Sequence, residues 1–81
     1  MKLYEYKTKY IAELMPFVES DNQRERELTQ LLIVKLHALR MMTMPDFLFA
    51  ITKIISGENV SDSFKALCKA MINDSKQLSN E

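Results

Sequence analysis

Apolar positions recur along this chain with the period of a helix. In the first segment Leu3, Tyr6, Tyr10, Ile11, Leu14, Phe17 and Val18 fall on one side, and Glu5, Lys9, Glu13 and Glu19 on others. This pattern predicts an amphipathic helix over residues 3–19. Pro16 removes a backbone hydrogen bond. Because Phe17 and Val18 keep the apolar phase, a loosened last turn is expected rather than a stop near Leu14, with chain reversal at Ser20-Asp21-Asn22.

The central helix is predicted over residues 22–42. At about 100° per residue, Leu28, Leu31, Leu32, Leu36, Ala38, Leu39 and Met42 form one broad arc. Ile33, Val34 and Met41 fall outside it. A helix apolar on several sides needs several neighbours, so this one is expected at the centre of the domain or at a dimer seam. The run from Ser20 to Glu27 supplies a cap, first-turn acids and a solvated face. Lys35 lies within the arc, and a buried unpaired lysine is costly. It is therefore expected at an edge, paired with an acid of the first helix, or at a seam between subunits.

Thr43 as cap, Pro45 and Asp46 in the first turn and Gly57 as stop predict a third helix over 44–56. Phe47, Leu48, Ile51, Ile54 and Ile55 make its buried arc, which turns Phe49 toward Asp46, Thr52, Lys53 and Ser56. Ser61 then caps a fourth helix over 62–74, with Phe64, Leu67, Cys68, Met71 and Ile72 at helical spacing. Residues 75–81 read as a polar tail that frays. The fold class expected is all-α: one domain over 1–81, three longer helices and a closing C-terminal helix, packed as an orthogonal or up-down bundle.

Composition supports this reading and narrows the function. The 81 residues hold one Gly and two Pro, too few punctuators for many strands. A chain this short buries only about 60% of its unfolded surface, so a partner that adds to the core would matter. Eleven basic and eleven acidic side chains cancel. That balance disfavours a polybasic coat for nucleic acid or membrane and leaves little repulsion between copies. Cys68 is the sole cysteine, so no intramolecular disulfide forms and a reducing compartment fits. With no signal-like start and no apolar run of spanning length, a cytoplasmic location is expected. Two sequences match the glycosylation pattern, at Asn59 and Asn73, and both read as chance.

No catalytic constellation stands out. His37 is the only histidine and has no spaced ligand partner, so it reads as a half-exposed helix residue and no metal or cofactor is expected. Cys68 reads as a small hydrophobe. Lysines and tyrosines interleave over residues 2–10, as in single-strand binders, but helical spacing alone explains Tyr6 and Tyr10. Helices three and four around Gly57 faintly resemble a helix-turn-helix, with Lys65, Lys69 and Lys76 as candidate phosphate contacts. Ala50 stands farther ahead of Gly57 than that motif's usual spacing.

The function expected is therefore a non-enzymatic interaction module, an adaptor, inhibitor or accessory subunit, acting as a homodimer or on another protein. No membrane or small-molecule substrate is expected. The candidate interface is Phe49, Ile33, Val34, Met41, Met42 and Met44, with the methionines supplying a repackable surface. A DNA-binding dimer using residues 44–56 and 62–74 is the alternative.

Overall fold

The computed structural model describes residues 1–78, and the last three positions of the expected polar tail lie outside the described residues. Four α-helices run in order: α1 (Leu3–Leu14), α2 (Gln23–Ala38), α3 (Met44–Gly57) and α4 (Asp62–Ser75). Two short 3-10 helices, Met15–Glu19 and Met41–Thr43, follow α1 and α2. The all-α, four-helix class read from the sequence holds. No helix of the described residues is long and apolar enough to cross a membrane.

The end of α1 and the starts of α2 and α4 have local causes. The Met15 amide still reaches the Ile11 carbonyl, but Pro16 has no amide to continue the ladder, and the chain tightens into the 3-10 turn. Asn22 caps α2 through its side chain, which accepts from the Glu25 amide, and Ser61 caps α4 by accepting from the Phe64 amide. Thr43 does not cap α3. Its hydroxyl is engaged by the Arg40 backbone, accepting from the amide and donating to the carbonyl, and so closes the preceding 3-10 turn.

The central helix is shorter than its pattern implied. It ends at Ala38, and Leu39 and Arg40 are extended. Lys7 of α1 donates to the His37 and Leu39 carbonyls at 2.9 and 3.1 Å, so a distant cation satisfies the helix end. The buried stripe is also narrower than expected. Leu28, Leu32, Leu36 and Leu39 are buried, while Leu31 is 48% and Met42 82% exposed, and Ala38 is exposed too. The core instead rotates toward Thr29, which is fully buried, and toward Ile33, which packs against it. The elements that pack on α2 are α1 and the Met15–Glu19 turn.

One core joins all four helices. Tyr6, Tyr10 and Leu14 of α1 meet Leu32 and Leu36, Phe47, Ile51 and Ile54, and Phe64, Cys68 and Met71. The tyrosine hydroxyls are satisfied by α4: Tyr6 donates to the Met71 carbonyl at 2.7 Å, and Tyr10 reaches the Ala70 carbonyl and Asp74. Phe17 meets the Phe64 ring edge-on, with centroids 5.2 Å apart. α4 is as long as α3, and its buried face of Phe64, Cys68 and Met71 has no exposure. It is therefore a central element rather than a lid. Ser75 belongs to α4, and Leu78 packs against the core, so the tail is ordered at least that far.

Candidate interaction surface

α2 and α3 barely touch one another, because the Leu39–Thr43 connection carries the chain around a corner between them. An open cleft of about 260 Å³ remains, lined by Lys35, Ala38 and Leu39 on one wall and Thr43, Asp46 and Phe47 on the other. Lys35 is thus at the edge of the apolar arc, exposed on the cleft rim.

The segments that line this cleft also carry exposed large apolar side chains. Among the described residues seven are exposed, and four of them, Leu31, Val34, Met42 and Phe49, belong to α2, the connection and α3. Leu31 and Ala38 flank Lys35 on its own ridge of α2, with Val34 beside them. Phe49 stands one turn beyond Asp46 on α3. Val34 is 65% and Phe49 62% exposed. The Lys53 ammonium lies over the Phe49 ring, 4.5 Å from its centroid.

The other expected interface residues divide. Ile33 is half-buried and packs on the core, and Met41 is half-buried in the connection. Met44 is only 7% exposed and belongs to the core, because the 3-10 turn before it rotates the start of α3 inward. Met44 is therefore withdrawn from the contact residues. Leu31 is the addition that the sequence reading assigned to the core. The lysines of the helix-turn-helix alternative lie apart from this surface on α4, with Lys65 half-buried and Lys69 and Lys76 exposed. Asp62 in the first turn and the capping role of Ser61 give that end of α4 an acidic start.

A second polar cluster sits opposite, at the start of α2. Glu25, read from sequence as a first-turn acid before a solvated face, is only 3% exposed. Its carboxylate accepts from the Ser61 amide and hydroxyl at 3.0 and 2.6 Å and from the Ser20 hydroxyl. Burial alone would raise its pKa, but those hydrogen bonds outweigh it and hold the carboxyl below its ordinary value. The cluster ties the α1–α2 and α3–α4 connections to one side chain. Burial pushes the Cys68 thiol up to about 12, so it sits in the core as a protonated, apolar side chain. His37 is exposed at the end of α2, and among the described residues no group of three His, Cys, Asp or Glu could hold a metal ion.

Comparison with protein-family models, with characterised proteins and with solved structures returns no match, so the reading of function rests on the geometry.

Proposed function

We propose that this chain is a non-enzymatic protein-interaction module whose contact surface is the outer face of α2 and α3. The observation that carries the reading is the exposure of Leu31, Val34, Met42 and Phe49 on α2, the Leu39–Thr43 connection and α3, the segments whose residues line the cleft. The core is filled by other residues, so these four have no place in it among the described residues. Exposed large apolar side chains on neighbouring segments favour contact with another protein. Lys35, Asp46 and Lys53 give that surface a charged rim, the arrangement of an apolar centre and polar edge found in reversible interfaces.

The test is affinity capture with the full chain as bait, read by mass spectrometry, against a Val34→Ser/Met42→Ser/Phe49→Ser variant. All three side chains are exposed, so the variant keeps its helical circular dichroism and melting temperature. The reading expects proteins retained by the wild type and lost by the variant. Equal retention by both would overturn it.

A further inference from the structure

Asp46, Phe49 and Lys53 stand on one outward stripe of α3, three and then four residues apart, and all three are exposed. Phe49 is in the middle, with Lys53 leaning over its ring. Neither Asp46 nor Lys53 takes part in an ion pair among the described residues. The order along the stripe is acid, aromatic, base, and its midpoint falls between Phe49 and Ala50. A helix with that order is its own electrostatic complement when a second copy lies antiparallel across it. A parallel arrangement would set acid on acid and base on base.

We propose that the partner of this surface is a second copy of the chain, docked by antiparallel pairing of the two α3 helices about a two-fold axis at Phe49. The proposal rests on the contact-surface reading above and adds the partner and the register. Each Asp46 then faces the other copy's Lys53, the two Phe49 rings meet at the axis, and Met42 extends the apolar contact beyond Asp46. Such an interface is isologous, so one stripe satisfies both sides. Charge complementarity selects a second copy over an unrelated protein, since the face carries both signs in self-matching order on a chain with a formal net charge of zero.

Sedimentation equilibrium on the full chain tests this by charge reversal. The wild type is expected to associate reversibly to twice the chain mass. Asp46→Lys sets like charges opposite each other at both ends of the stripe, and Lys53→Glu does the same with the opposite sign. Each alone should weaken association about tenfold or more. Mixed in equal amounts, the two variants should pair with each other at close to wild-type strength, because every reversed charge then meets its opposite. Asp46→Lys also removes an acid favourable at the start of α3, so melts are run alongside. If that variant unfolds, Lys53→Glu alone, and its rescue by a second Asp46→Asn substitution in the same chain, still decides. A wild type that stays at the chain mass at every concentration, or variants that associate no worse alone than mixed, would overturn the proposal. The capture experiment separates the two readings: a monomeric wild type that still loses partners on the surface substitutions sinks self-pairing alone, whereas capture indifferent to those substitutions sinks the surface reading itself.

Discussion

Glu25 holds the α1–α2 and α3–α4 connections together, and its environment sets a clear expectation. Replacing it with Ala removes the acceptor of the Ser61 amide and of both serine hydroxyls. A loss of about 2 kcal/mol of stability is expected in urea melts. The acid limb carries the same signature. Because the folded-state pKa is depressed, this contribution is complete above the ordinary value of 4.5 and is lost as pH falls from there through the folded value. Asp74, held low by the Tyr10 hydroxyl and then by Lys9, adds a loss in the same direction. The informative quantity is therefore the difference between wild type and Glu25→Gln, which should narrow as the pH is lowered into the acid range. A difference that stays constant would mean that Glu25 is not ionised in the fold.

Phe49 behaves oppositely. Phe49→Ala should change monomer stability by no more than about 0.5 kcal/mol, since the side chain is mostly in water. Phe64→Ala, at a position with no exposure, should cost about 3–5 kcal/mol. Equal losses in denaturant melts of dilute samples would make Phe49 a core residue.

At the scale of the elements, Gly57 invites a substitution. It ends α3 without a positive φ, and a Cβ added there meets nothing within 4 Å. Gly57→Ala is thus expected to raise stability by about 0.5–1 kcal/mol by restricting the unfolded chain, as a shift of the urea midpoint would show. Helix starts were legible in the sequence because their chemistry is local: Asn22 and Ser61 sit just ahead of the amides they cap. The α3 and α4 faces were legible for the same reason, since Phe47, Ile51, Ile54, Phe64, Cys68 and Met71 follow the helical period and are buried. Helix ends were less so. α2 stops at Ala38 under the influence of Lys7, thirty residues earlier in the chain, a contact that no periodicity records. Leu31 and Glu25 exchanged the roles their letters suggest because burial on α2 depends on where α1 and the Met15–Glu19 turn pack, which is a long-range fact. Of the candidate surface, the exposure of Phe49 could be read from phase alone, whereas the cleft beside it could not.

The whole molecule is elongated, 38 × 22 × 18 Å, with a radius of gyration of 12.0 Å. That radius is about the value expected for a compact chain of this length. Packing is concentrated where α2 meets the Met15–Glu19 turn and α1 and where α3 meets α4, with less between α2 and α3. The account places the protein's contacts with other chains on the outer α2–α3 side, with a second copy as the occupant. Backbone amide chemical shifts followed on dilution test this most directly, because they locate association residue by residue without altering the chain. The account predicts concentration-dependent shifts confined to residues 42–53 and the adjoining end of α2, with the outer faces of α1 and α4 unmoved. Spectra that do not change with concentration, or shifts centred on Lys65, Lys69 and Lys76 of α4, would contradict it.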